Sequence, residues 1–293
     1  MNPGLQLGPL HVYYYGLILA AAVWLAYLVV RRRARTRGLP SDAVDTLFIW
    51  TVPLGVLGGR LYFVLLNLER YLAAPGRILA VWEGGMAIHG ALVGGLVGLL
   101  VGYRLAKRRH PHLANLRVAV LLDLVAPALL AAQAVGRLAN FVNQEAFGVP
   151  TALPWGIPID PVRRPPEFAS ATHFHPTFAY EALWNVLGLV LLLAVERRWR
   201  RRYGAAGLDQ RAGALFALYV LWYSIGRTAI EGLRTDSLYL GPLRAAQVVG
   251  VIAAVGALGY LWYRSRTWRR SPSTPLPAAH SAPAPKPGSS STR

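Results

Sequence analysis

Long apolar runs separated by short polar connections dominate this chain. Seven stretches, at 12–30, 43–66, 86–106, 118–138, 177–195, 211–229 and 243–263, approach or exceed the roughly 20 residues that a helix needs to cross a bilayer core. Lipid offers backbone groups no partner outside a helix or a closed barrel. The pattern therefore predicts an all-α, polytopic bundle of seven transmembrane helices. An odd number of crossings puts the termini on opposite sides, and the Lys/Arg blocks choose which. Five basic residues follow the first stretch, five the third, six the fifth and six the seventh, leaving nine of the 31 elsewhere. By the positive-inside rule the N-terminus lies outside and the C-terminus is cytoplasmic. The segment at 148–174 becomes part of a small extracytoplasmic loop region. Residues 1–270 form the integral membrane domain, and 271–293, mainly Pro, Ser and Ala, read as a disordered cytoplasmic tail. No Lys or Arg precedes the first run, which reads as a retained helix rather than a signal peptide.

Composition sharpens this picture. Hydrophobic residues make up 54% and charged ones 15%, with mean hydropathy +0.36, too apolar for a surface facing water all round. The net charge of +18 would suit nucleic acid, but its placement in blocks between spans serves topology and anionic-lipid contact instead. The chain has no cysteine, which excludes disulfides, Cys-ligated zinc and an internal thiol nucleophile. Any thiol chemistry must use a partner's thiol. Two H-x-H pairs, His110 with His112 and His173 with His175, fall on opposite sides by this topology. Neither brings enough further ligands to specify a metal, so no metal or cofactor is expected.

The nine remaining arginines are 60, 70, 77, 137, 163, 164, 227, 234 and 244. Inside a span an arginine costs roughly 2.5–3.5 kcal/mol unless it faces a cavity or a partner, so each is a candidate for function. Arg137, Asn140 and Asn143 share one helical face at the outer end of the fourth span, followed by Glu145 and Gly148. A guanidinium binds a phosphodiester bidentately and amides hydrogen-bond hydroxyls or phosphate oxygens; the competing reading is an interfacial Arg with polar caps. Gly90, Gly94 and Gly98 form two overlapping GxxxG steps that predict close helix packing. His89, beside them, is equally a proton carrier or a buried hydrogen-bonding group. Tyr180 and Glu181 follow His175-Pro176 at the start of the fifth span, where Glu181 is also a natural partner for an intramembrane Arg. Arg227, Glu231 and Arg234 follow helical spacing, with a packing ion pair at 227 and 231 as the bland alternative; Arg234 near Asp236 is the better anion ligand. Tyr15-Gly16 opens the first span.

Taken together, Tyr15-Gly16, Gly84-Gly85-Met86 through His89-Gly90, Gly136-Arg137 through Asn140, Asn143, Glu145 and Gly148, His175-Pro176 with Tyr180-Glu181, and Gly226-Arg227 through Arg234 and Asp236 resemble the bacterial prolipoprotein diacylglyceryl transferases. The resemblance covers the chain to about residue 263. Ala139 stands where that family usually has Gly, and Thr235 makes a shorter link to the acidic residue. The resemblance implies a seven-helix inner-membrane enzyme with its site toward the outer leaflet. It would move the diacylglyceryl group of phosphatidylglycerol onto the lipobox cysteine thiol of a preprolipoprotein and release glycerol phosphate. Its partners would be that lipid, that peptide and the surrounding membrane lipids, with no nucleic acid. On this reading Arg137 and Arg234 bind the phosphate and stabilise the leaving group, and Asn140, Asn143 and Glu145 orient the headgroup. His89 is the base and Tyr15 a positioning donor, while Gly148, Tyr180, Glu181, Arg227 and Glu231 complete the substrate site. Glu145 could instead organise an arginine. From residues alone, an anionic-solute transporter and a non-catalytic phosphatidylglycerol-binding protein stay open.

Overall fold

A computed structural model describes residues 4–7, 10–81, 84–113 and 116–270; the segment 271–293 and the side chain of His112 lie outside the described residues. The helices are α1 (Tyr14–Thr36), α2 (Ser41–Leu66), α3 (Leu68–Leu72), α4 (Ile88–Arg109), α5 (Val118–Asn143), α6 (Thr177–Gln210), α7 (Ala214–Glu231) and α8 (Ala245–Arg270). Six of them, α1, α2, α4, α5, α6 as far as Gly204 and α8, are long and apolar enough to cross a membrane. The protein is an all-α, multi-pass membrane bundle. The seventh predicted span corresponds to α7, whose 18 residues include Arg227 and Glu231. Most helices outrun the apolar stretches that announced them, because arginine is a good helix former and the helix continues after lipid contact ends. In α6 the helix runs through the arginines at 197–202 and breaks at Gly204, where φ is 67°.

The helices pack in two groups joined by α1. α5 lies at the centre, against α1, α6 and α7, and α8 packs on α7; α2 pairs with α4. Glycine makes that second pairing close. A Cβ on Gly90, Gly94 or Gly98 would strike the α2 backbone at Gly58, Leu54 or Trp50, and one on Gly102 would lie 2.9 Å from Leu47 Cα. The predicted GxxxG packing is present and one step longer than the sequence suggested. Gly95, one residue away, faces open space. Gly94→Ala is therefore expected to destabilise the protein by about 1–3 kcal/mol through overpacking, and Gly95→Ala to leave the unfolding midpoint in detergent unchanged. Equal midpoints for the two variants would contradict the close approach.

At the end of the bundle carrying the basic blocks, a buried polar network ties four helices together. Asp123 on α5 is 2% exposed. Its carboxylate accepts the N–H groups of Gly213 and Phe216 at 2.8 and 2.9 Å, capping α7 from a neighbouring helix. Arg33 donates to the Asp123 carbonyl at 2.8 Å and pairs with Glu196 at 2.6 Å, while Arg37 reaches the same carboxylate at 2.9 Å. Two arginines of the first basic block thus hold α1 to α5 and α6, in addition to any part in topology.

At the opposite end the connections are short and partly extended. Strands β1 (Gly4–Leu7) and β2 (Leu10–Tyr13) form one hairpin, and β3 (Ile157–Pro158) pairs with β4 (His173–Phe174). β5 (Tyr239–Leu240) pairs with β6 (Leu243–Arg244). Phe147, Ile159 and Phe174 make a small apolar core beneath the 148–174 segment, with Ile157, Phe168 and Ala171 around it. This compact head rests over the ends of α5 and α6.

Candidate active site

The site is assembled where α5 ends, α6 begins and α7 ends. α5 continues to Asn143 and stops at Gln144, whose φ of 50° is left-handed. Arg137 Nη1 donates to Asn140 Oδ1 at 3.3 Å, and Asn140 Nδ2 donates to Glu145 Oε1 at 2.8 Å. Of the three residues read as one face, Arg137 and Asn140 are joined, and the chain continues to Glu145 rather than to the Asn143 side chain. Gln144 and Ala146 take the positive φ values of this turn, so Gly148 has another purpose. Its N–H bonds the His175 carbonyl at 2.8 Å. A Cβ there would lie 2.7–2.9 Å from Leu233 O, Thr177 Cγ2 and His175 Cβ. Gly148 lets three segments meet, with Val149 donating to Leu233 O at 2.8 Å.

Glu181, in the first turns of α6 and 4% exposed, is the hub. Its Oε2 pairs with Arg137, and its Oε1 lies 3.1 Å from Arg227 and 3.0 Å from Arg234. Three helix ends therefore converge on one carboxylate. Arg227 also pairs with Glu231 at 2.7 Å, the i,i+4 pair its spacing suggests. Arg234 is forked onto Asp236, with Nε to Oδ1 at 2.8 Å and Nη2 to Oδ2 at 2.6 Å. Burial opposes the Arg234 charge, but Asp236 and Glu181 outweigh it and raise its pKa above the ordinary arginine value. Arg244 donates to the carbonyls of Glu231 and Arg234 and to Ser237 Oγ, fixing the turn that carries Arg234.

The guanidiniums differ in access. Arg234 is 9% exposed in its side chain, whereas Arg137 and Arg227 are each 21% exposed. Described contacts meet both terminal nitrogens of Arg137 and of Arg227. A small cavity lined by Glu181, Trp184, Asn185, Tyr223, Gly226, Arg227 and Ile230 opens beside them. Trp184 lines it from α6 and packs on Trp222 of α7, each indole donating to the other's carbonyl at 2.9 Å and the rings stacking at 4.2 Å.

The remaining expected residues are distributed around this cluster. Tyr180 accepts the Trp155 indole N–H at 2.8 Å and lies 3.1 Å from His175 Nδ1, tying the head to α6. Tyr15 on α1 is within electrostatic reach of Glu145 and Arg137. The Asn143 carbonyl accepts from Arg163. His89 is exposed at the start of α4, with Tyr62 on α2 as its ring neighbour at 6.2 Å; no described contact joins it to the arginines. Of the nine arginines singled out, Arg60, Arg163, Arg164 and Arg244 serve carbonyls rather than carboxylates. Sequence reasoning counted Arg244 only as one candidate arginine among nine, without a partner, and did not single out Tyr223, because their contacts cross between segments.

The family model described as prolipoprotein diacylglyceryl transferase matches residues 4–263. The chain belongs to this family. Relatives named phosphatidylglycerol–prolipoprotein diacylglyceryl transferase include one from Synechococcus elongatus, 44% identical over 267 residues, 89% of this chain and 88% of the relative. One from Trichormus variabilis is 41% identical over 289 residues, 96% and 95% of the two chains. One from Halalkalibacterium halodurans is 39% identical over 263 residues, 89% and 85%. This prolipoprotein diacylglyceryl transferase family member is an enzyme, and the transporter and passive lipid-binding readings find no support among its relatives.

Proposed function

We infer that this chain moves the diacylglyceryl group of phosphatidylglycerol onto the thiol of a preprolipoprotein's lipobox cysteine, the first step of bacterial lipoprotein maturation. The observation that carries the reading is the convergence of Arg137, Arg227 and Arg234 on Glu181 beside a cavity. The absence of cysteine from the chain agrees with a nucleophile that belongs to the substrate. The sulfur attacks the glyceryl carbon attached to the phosphate oxygen and a C–S bond forms. The C–O bond breaks with its electron pair passing to the phosphate of the departing glycerol phosphate, and the thiol proton passes to a base. Charge grows on the phosphate as it leaves, and preorganised cations in a water-poor site act most strongly on such a change.

Arg137 is assigned to the phosphate, and its accessibility supports that role. Arg227, equally accessible and lining the cavity, is assigned beside it. Arg234 completes the positive side from behind through its bond to Glu181. Asn140 and Glu145 orient the headgroup hydroxyls, Asn143 and Gly148 shape the turn, Tyr15 adds a donor from α1, and Tyr180 holds the head. The site faces the outer leaflet of the bacterial cytoplasmic membrane, with the N-terminus outside and the C-terminus cytoplasmic, by the distribution of basic blocks. The head at 148–174 is assigned to the lipobox peptide, on the strength of its position over the cluster.

His89 is assigned as the base that accepts the thiol proton, supported by its exposure at the site end of the bundle. His89→Gln is expected to cost about 10²–10⁴-fold in rate. A variant that keeps the rate would move the role to another group, Glu145 first.

A further inference from the structure

Arg60 on α2 is 2% exposed, a cation buried with no described carboxylate at its guanidinium. Its Nε donates to Ile78 O at 2.9 Å, Nη2 to Arg77 O at 2.6 Å, and Nη1 to Gly84 O and to Gly85 O, the latter at 3.0 Å. The group also lies 5.1 Å over the Tyr71 ring. Four carbonyls from two ends of one connection thus converge on a single fork. Gly84 and Gly85 both adopt φ of 78°, a left-handed pair that L side chains rarely tolerate. That conformation accompanies the presentation of both their carbonyls to Arg60. Immediately afterwards Ala87 N–H bonds Gly59 O at 3.0 Å, and α4 begins at Ile88 with His89 in its first turn.

By cost alone an arginine at this depth is a candidate for function. Its donors are instead committed to carbonyls, and a buried cation held this way fixes the chain segments around it. We propose that Arg60 is a positioning residue for the transfer reaction, acting through the Gly84–Gly85 carbonyls to set where Met86–His89 stands at the site end. The inference rests on reading that segment as part of the reacting site. Lysine would keep the charge but not the planar fork that serves the two ends of the connection at once.

The test exploits a chain without cysteine. Ala80, 5% exposed within the connection, is replaced by cysteine as a reporter, and maleimide labelling and diacylglyceryl transfer to a lipobox peptide are measured with Arg60 and with Arg60→Lys. The expected result is labelling faster by about tenfold or more and kcat lower by about 10²-fold, as for a displaced reacting group, with KM for phosphatidylglycerol changed little. Faster labelling with unchanged kcat would make Arg60 a structural clamp only and overturn the proposal, as would no change in either. If Arg60→Lys fails to fold, Gly84→Ala takes its place. A Cβ there meets open space, so the variant disturbs the left-handed backbone alone, and the same two readouts decide. His89→Gln with native kcat, beside an Arg60→Lys variant that has lost it, would remove the base assignment and leave the positioning of the segment standing.

Discussion

Arg137→Ala is expected to reduce transfer of the diacylglyceryl group by about 10²–10³-fold, the usual cost of removing one donor from a preorganised anion site. The loss should fall on chemistry rather than on folding. Glu181 keeps Arg227 and Arg234 at 3.1 and 3.0 Å, and Asn140 keeps Glu145 at 2.8 Å. Arg137→Lys restores the charge but not the fork, and is expected to recover only part of the rate. If Arg137 stabilises the departing phosphate, kcat falls with kcat/KM; if it only binds the lipid, KM rises with kcat unchanged. Transfer kinetics and an unfolding midpoint, measured in the same detergent, separate these outcomes. A native rate in Arg137→Ala would remove this residue from the phosphate role.

Glu181→Ala is expected to have the largest effect on stability, about 3–5 kcal/mol, because breaking a buried ion network leaves its other charges uncompensated. Three guanidiniums would then face one another at the junction of α5, α6 and α7. Asp236→Asn offers the contrast. Its side chain is 51% exposed, so its pair with Arg234 should contribute no more than about 1 kcal/mol. In the double variant Glu181→Gln with Arg227→Gln, removing a cation together with the carboxylate should recover part of the midpoint lost in Glu181→Gln alone. Additive losses would mean that Glu181 and Arg227 are not coupled.

Much of the fold was legible because apolar runs of membrane length have few other outcomes. Glycine spacing also announced close packing along α4, though not that α2 is the partner, since a period of four places small residues on one helix face. The short strand pairs were not legible: two residues of β3 against two of β4 carry no alternating pattern to read. Within the site, local spacing correctly suggested the Arg137–Asn140 link and the Arg227–Glu231 pair. The Glu181 hub joins positions 137, 181, 227 and 234, and no periodicity relates residues that far apart. Depth and residue type made Arg60, Arg137 and Arg244 look alike. What separates them is whether the guanidinium meets a carboxylate or a carbonyl, and that depends on how distant segments pack. Arg33 and Arg37 show the same limit, since a block placed by topology also supplies a buried network with Glu196.

The central claim is tested most directly with purified full-length protein in detergent, phosphatidylglycerol labelled in its acyl chains, and a lipobox peptide carrying either Cys or Ser. Label is expected on the Cys peptide alone, retained under neutral hydroxylamine, which would cleave a thioester, and released by mild base only as free acyl chains that leave glycerol thioether-linked to the sulfur, with one glycerol phosphate released per peptide modified. Tight lipid binding without transfer, or equal labelling of the Ser peptide, would contradict the account.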